Sequence, residues 1–403
     1  MGDTNNPRGE AMTAVRRGTG ALLMAALVGT LTPGVAAAAS GRTVYVDDNG
    51  TASASAKGAC GKPNFSTIQA AVNDVSTTTI VVCKGTYTEQ VAVTRSLSLG
   101  GRAGATIQAP ADLDDSGAIV RFLGAQKSRL SGFVISGAST PDPDLHAGVD
   151  VRDDAEVAIN RNRIRDIRDV SVRSTQGKGI YVDGASADIT DNRIERFGTD
   201  GIFVWNPGGF ATIEGNTIRG LEPDIIGGQR GIHIREGGRG KVEDNTITVN
   251  TNGTGILVSQ TAAVSIRKNT STGNAAGIIL SGETRDIQVR GNTVRDNTSH
   301  GIDLADAGQN TVADNVVVNN GGDGIRVETF PRELRNVIAG NRVRNNDGDG
   351  IHIGRGAADN TVEKNRVRDN GGTDILDLNG EPLVNAYAGN RCQTSNPDGL
   401  CDS

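Results

Sequence analysis

The sequence predicts an all-β fold, a parallel β-helix solenoid with an N-terminal capping helix. Three observations predict it. A Gly followed by an aliphatic residue returns at Gly148, Gly179, Gly201, Gly231, Gly255, Gly277, Gly301, Gly324 and Gly350, at intervals of 22–31 residues. An Asn returns on the same rhythm at Asn162, Asn192, Asn216, Asn245, Asn269, Asn292, Asn315, Asn341, Asn365 and Asn390, and the two series interleave without a break. Aromatic residues make up only 3% of the 403 residues, whereas Gly numbers 55. A fixed period marks a stacked architecture. Abundant Gly and Asn mark frequent turns. Scarce rings argue against a compact core of large side chains.

Within a repeat, the first and third residues after each marker Gly are aliphatic, as in Ile180 and Val182 or Ile202 and Val204. Period two is a strand with one face buried. Ile or Val also stands three residues before the marker Asn (Ile159, Ile189, Ile213) and usually two after it (Ile164, Ile194, Ile218). Two or three such strands per repeat of about 23 residues fit one coil of a parallel β-helix. Equivalent residues then stack about 4.8 Å apart. Aliphatics fill the inside, Asn side chains form a ladder at a bend, and Gly is expected to permit tight corners.

The elements follow in chain order. Residues 1–39 read as an export signal: Arg16 and Arg17 precede the apolar run Ala21–Leu31, and small residues Ala36–Ala39 follow. That run is too short to span a membrane stably, and no second span follows, so a secreted protein is expected. Residues 40–100 are the N-terminal cap and first coils, with 65–73 as a short amphipathic helix. Residues 101–380 are the β-helix coils, and 381–403 the C-terminal cap. Four Cys in an exported chain suggest disulfides. Of three connectivities, the local pairing of Cys60 with Cys83 and Cys392 with Cys401 is favoured over free thiols or a metal site. The formal charge is −6, which argues against nucleic acid as partner. A monomer is expected.

Several segments resemble a known group. Val44-Tyr45-Val46-Asp47, Phe65-Ser66-Thr67-Ile68-Gln69-Ala70-Ala71-Val72, Ile80-Val81-Val82-Cys83-Lys84-Gly85-Thr86-Tyr87 and Ser96-Leu97-Ser98-Leu99 resemble the N-terminal part of pectin-lyase-like right-handed parallel β-helix proteins. The Gly-Ile and Asn-x-Ile repeats are similar to the same superfamily, including its NosD-like members. The resemblance covers nearly the whole chain after the leader. It implies the right-handed fold but spans lyases, hydrolases, esterases, epimerases and inactive binding proteins. Copper handling, which the NosD likeness suggests, is not supported by a chain whose three Met all lie in the leader and whose His are scattered.

Loop lengths point to a site. The stretch from marker Asn to the next marker Gly lengthens at 166–178 and 220–230, and 139–147 is also long. All three fall at one corner, where stacked insertions build a wall. Beside it, the second and fourth residues after each Gly face outward: Asp150 and Arg152, Tyr181 and Asp183, Phe203 and Trp205, His233 and Arg235. Aromatic faces stack on sugars, and cations hold carboxylates. His233, Arg235, Tyr181 and Asp183 are the candidate catalytic set, able to abstract a proton next to a uronate carboxylate. Phe203, Trp205, Asp200 and Arg230 are the candidate substrate contacts. The alternative is a satellite cluster packed beneath the loops.

A second constellation lies at His300-Gly301-Ile302-Asp303, Asp323-Gly324-Ile325-Arg326 and Asp347-Gly348-Asp349-Gly350-Ile351-His352. The Asp-Gly-Asp-x-Ile element resembles a calcium-binding segment of pectate lyases, which implies Ca2+ held by Asp323, Asp347, Asp349 and Glu328. Asp-Gly is also ordinary turn chemistry. The expectation is a secreted protein that binds, and in its enzymatic version cleaves, a polysaccharide or surface glycan by calcium-assisted lyase chemistry. Its rival is a non-catalytic cell-surface or adhesion scaffold.

Overall fold

The computed structural model describes residues 41–402 except 51, 54–57, 138–144, 169–175, 222–227, 250–251, 329–331 and 334. The export-signal segment 1–39 lies outside the described residues, as do the central parts of the three long corner segments.

Each coil contributes one strand to each of three parallel sheets of 14, 13 and 12 strands. One coil shows the order. Glu156–Asn160 lies in the 14-stranded sheet and Arg163–Arg165 in the 12-stranded sheet. After the variable corner, Lys178–Asp183 lies in the 13-stranded sheet, and Ser186–Thr190 begins the next coil. Register is strict: Ile180 pairs with Ile202, Ile202 with Ile232 and Ile232 with Ile256. Those four side chains are fully buried, as are Ile159, Ile189 and Ile213 of the neighbouring sheet. Alternation at period two puts every second side chain inside. Each buried Ile or Val contributes roughly 1.5–3 kcal/mol.

The marker Asn residues form the expected ladder. Each Nδ2 donates to the Oδ1 of the next Asn at 2.9–3.1 Å, and that same Oδ1 accepts from the backbone N–H of the first. Nδ2 also reaches back to a strand carbonyl, as from Asn292 to Ile266 at 3.0 Å. The residue before each Asn is left-handed, with φ from 53° at Lys268 to 66° at Gly215 and Gly389. Even Arg161, Lys268 and Lys364 take this conformation. The ladder holds a strained residue that isolated chain would avoid.

Two further ladders occupy the other corners. Asn274, Asn297, Asn320, Asn346 and Asn370 link in series, and so do Asn310, Asn336, Asn360 and Asn385. They stand five residues after and five before a marker Asn, a spacing visible in the sequence. In the N-terminal half, buried Ile167 and Phe197 take the place of the first of these.

The marker Gly residues serve a different purpose from the one expected. None has positive φ. A Cβ on Gly201 would lie 2.6 Å from the Gly231 carbonyl oxygen and 2.7 Å from Ile218 Cγ2, and one on Gly277 would meet Gly301 O and Val294 Cγ1 at 2.6 and 2.2 Å. Close approach of neighbouring coils and sheets, not corner geometry, requires Gly there.

The helix is Ile68–Asn73, shorter than expected because Thr67 caps it and accepts from Ala70 N–H. Glu89 accepts from the Ile68 and Gln69 N–H groups at 2.8 Å each, a carboxylate at the positive helix end. Ile68, Ala71 and Val72 are buried against the first strands. Cys60–Cys83 and Cys392–Cys401 are bonded, with Cα atoms 5.7 and 5.4 Å apart. Among the described residues, no helix is long and apolar enough to cross a membrane.

Candidate functional site

The 13-stranded sheet aligns the outward residues in columns. Asp150, Tyr181, Phe203, His233 and Leu257 are successive register partners. Asp183 and Trp205 are partners in the next column. Rings held one coil apart must stack, and they do. Tyr181 lies 5.5 Å from Phe203 at 16°, and Phe203 lies 4.7 Å from His233 at 20°. Trp205, two residues farther along the same strand as Phe203, has its ring 6.3 Å away at 11°. His146 meets the Tyr181 edge at 5.1 Å.

This stacking corrects the expected exposure. Tyr181 is 3% exposed, His233 4% and Asp200 1%, whereas Phe203, Trp205, Arg230, Arg235 and Asp183 are partly accessible. Ring-on-ring packing and long neighbouring side chains cover the inner column: the Arg152 guanidinium sits 5.0 Å from the Tyr181 ring centroid, and Lys178 Nζ sits 5.6 and 5.9 Å from the Tyr181 and Phe203 centroids.

The four candidate catalytic residues do not converge. Tyr181 Oη donates to Asp183 Oδ2 at 3.1 Å, and Asp183 Oδ1 accepts from Asn206 at 2.6 Å. His233 and Arg235 stand two coils away, about 10 Å along the axis, with Phe203 and Trp205 between. Arg235 pairs with Glu236 at 2.6 Å, and Glu236 also accepts from Trp205 Nε1 at 2.8 Å. Burial, reinforced by the Asp183 charge and its hydrogen bond, pushes the Tyr181 hydroxyl up, so it stays protonated.

Around His233 the groups are more tightly organised. Arg230 donates twice to Asp200, at 2.6 and 3.2 Å. His233 Nδ1 lies 3.3 Å from Asp200 Oδ1, short of an aligned hydrogen bond, and Nε2 lies 3.3 Å from Ser259 Oγ. Burial opposes ionisation of Asp200, but the His233 contact and the Arg230 charge outweigh it and hold the carboxyl below the usual range. Burial lowers His233 against the pull of Asp200, so the ring is neutral at neutral pH. Asp150 is raised, by burial first and against its Arg152 pair at 2.8 Å, and its Oδ2 is buried without a partner. Burial and the Lys178 charge depress His146 to about 4. Lys178 and His146 are participants that the sequence pattern did not single out, whereas Asp150 was expected on the outward strip without a role assigned to it. Alternation gave no signal for Lys178, which is in phase with the inward Ile180 and Val182, nor for His146, which precedes the strand Ala147–Arg152.

The calcium set assembles only in part. Asp323 and Asp349 meet His352 with all three donor atoms within 4.8 Å. Asp349 Oδ2 and His352 Nδ1 are 2.8 Å apart. The Oδ1 atoms cap the next coil, Asp323 accepting from Asp349 N–H at 2.8 Å and Asp349 from Thr373 N–H at 2.7 Å. Asp347 is exposed and outside this group, and Glu328 turns to Arg326 at 3.4 Å. Two carboxylates already engaged with backbone, plus an imidazole, do not fit calcium's need for six to eight oxygens.

Three solved structures share this architecture. The Dettilon tailspike protein has a TM-score of 0.59 at 15% identity over 88% of this chain and 68% of that one. The periplasmic alginate epimerase AlgG has 0.53 at 15% over 79% and 76%. The catalytic unit of a thermostable GH87 alpha-1,3-glucanase from Streptomyces thermodiastaticus strain HF3-3 has 0.54 at 13% over 79% and 64%. At such identity the likeness establishes the fold alone. No curated protein matches the chain. A family model described as right handed beta helix region matches residues 178–334 and 252–389, together more than half of the chain. With its three parallel sheets and in-register coils, the chain belongs to the right handed beta helix region family.

Proposed function

We propose that the 13-stranded face binds a polysaccharide, with Trp205 as the sugar platform beside the edge of Phe203, whose two ring faces are taken by Tyr181 and His233. The observation that carries this reading is the partly accessible Trp205 ring, near-parallel to Phe203 at 11°, in a chain so poor in rings. Sugar C–H faces stack on such surfaces. Arg235 and Arg152 flank the platform and suit an acidic sugar. The structural neighbours support the reading in kind, since two of them are named as an alginate epimerase and a glucanase. The two disulfides fit an exported protein. Binding without turnover is favoured by the covered His233 ring and by the separation of the Tyr181–Asp183 and His233–Arg235 pairs.

A glycan array followed by calorimetry on the best ligand tests the proposal. Trp205→Ala should weaken binding roughly tenfold, the equivalent of about 1.4 kcal/mol of stacking. Wild-type affinity in that variant, or no glycan bound by the wild type, removes it. Lyase chemistry would appear as ultraviolet absorbance from unsaturated uronates on pectate or alginate, lost in His233→Gln. A flat trace leaves a binding protein.

A further inference from the structure

The 12-stranded sheet carries a charge pattern that its neighbours lack. On the last coils, Arg342 is the register partner of Arg366 and Arg344 of Arg368, and a further bridge pairs Arg366 with Arg391. All five side chains are exposed. Parallel register sets the coils about 4.8 Å apart, and residues i and i+2 of one strand about 6.6 Å apart. The result is a two-column grid of guanidinium groups. Among the described residues, only Arg368 has an acidic partner, Asp369 at 3.3 Å. A depression of about 140 Å³ opens between four of these stems and Val343.

The same sheet shows how such a stack is otherwise neutralised. Arg163 and Arg193 are also register partners, but Glu195 accepts from both, at 2.8 and 2.6 Å. The middle coils place Thr246, Thr270 and Thr293 on this column. Like charges directly opposite in a sheet are destabilising. The C-terminal grid therefore concentrates uncompensated positive charge on a molecule whose net charge is −6.

We propose that this grid is a binding site for a linear anionic polysaccharide lying along the solenoid axis. One guanidinium per coil in each column matches a polymer with one acidic group per sugar unit, because the coil spacing is close to the length of a pyranose. Arg forks hold carboxylate or sulfate bidentately. No aromatic side chain stands on these strands to stack a base, which favours a saccharide over nucleic acid. The site is on a different sheet from the Phe203–Trp205 platform and does not depend on it.

The test uses the full chain with polygalacturonate for carboxylate, dextran sulfate for sulfate, and duplex DNA as the competing class. Wild type should bind at least one acidic polysaccharide, with affinity falling on the order of a hundredfold from 50 to 200 mM salt. The variant R342Q/R344Q/R366Q/R368Q should lose at least tenfold in affinity and flatten the salt dependence by about 0.7 unit of slope per Arg removed. Its melting midpoint at low salt should equal or exceed that of wild type, because repulsion is relieved. Thr246→Ala, an exposed position of the same sheet outside the grid, should bind these polymers unchanged, which ties the effect to the arginines. The inference is overturned if wild type captures neither polysaccharide or prefers DNA, if the quadruple variant binds as well as wild type, or if its melting midpoint falls.

Discussion

Arg230→Gln is the most informative single change on the aromatic face. Arg230 makes two charge-assisted hydrogen bonds to a carboxylate that is 1% exposed. Stranding a buried charge costs about 3–5 kcal/mol. The Arg230 side chain is 30% exposed, so water replaces part of it. His233 also remains beside Asp200 as a second partner. The loss should therefore lie at the lower end, about 2–3 kcal/mol. The change has an electrostatic signature as well. Burial lowers His233, the Arg230 charge adds to that, and Asp200 opposes it. With Arg230 gone, Asp200 pulls a proton onto the imidazole, so His233 should titrate higher and become charged nearer neutral pH. Denaturant unfolding gives the first quantity, and NMR titration of the His ring signals the second. A stability change under 0.5 kcal/mol with an unmoved His233 titration would refute this account of the buried carboxylate.

Other outcomes follow from the same geometry. Asn292→Ala removes a side chain that accepts from Asn269 N–H and Nδ2 and donates to Asn315 and Ile266, leaving buried groups unpaired. It should cost roughly 3–5 kcal/mol in urea unfolding at about 1 kcal/mol or more per bond, and a loss below 1 kcal/mol would show that the ladder is dispensable. His146 is depressed to about 4 from 6.5, so the unfolded chain binds the extra proton. Its contribution is complete above pH 6.5 and is lost as pH falls toward 4, on the order of 3 kcal/mol. His233, also lowered, acts with the same sign. Urea midpoints measured between pH 7.5 and 4 should fall steeply in wild type and less in His146→Gln, and equal slopes would exclude His146 as the cause.

Much of the molecule was legible in the sequence. Gly201-Ile202 and Ile213-x-x-Asn216 carry period and side-chain direction together, because a strand's alternation is a local property. The Asn ladder and the pairing of the four Cys followed from spacing. The role of Gly201 and Gly277 did not, since a corner turn and a close approach leave the same residue in the chain. The ladder through Asn274 and Asn297 was equally present at its five-residue spacing, yet irregular loops at the N-terminal coils masked it.

By itself the sequence determined the solenoid, the inward columns of Ile and Val, and which side chains point outward on the 13-stranded sheet. Only the tertiary structure decided which outward residues meet solvent and which meet each other. Tyr181 and His233 point outward yet are covered, Asp200 is clasped by Arg230 from the next coil, and Asp349 reaches His352 while Asp347 does not. The physical reason is distance. Direction is fixed within two residues of chain, but exposure, pairing and charge are fixed by side chains one coil away, 22–31 residues distant in sequence and about 4.8 Å distant in space. The same reason makes the C-terminal arginines significant: spread along the chain they are ordinary, and stacked in register they form a grid of like charge.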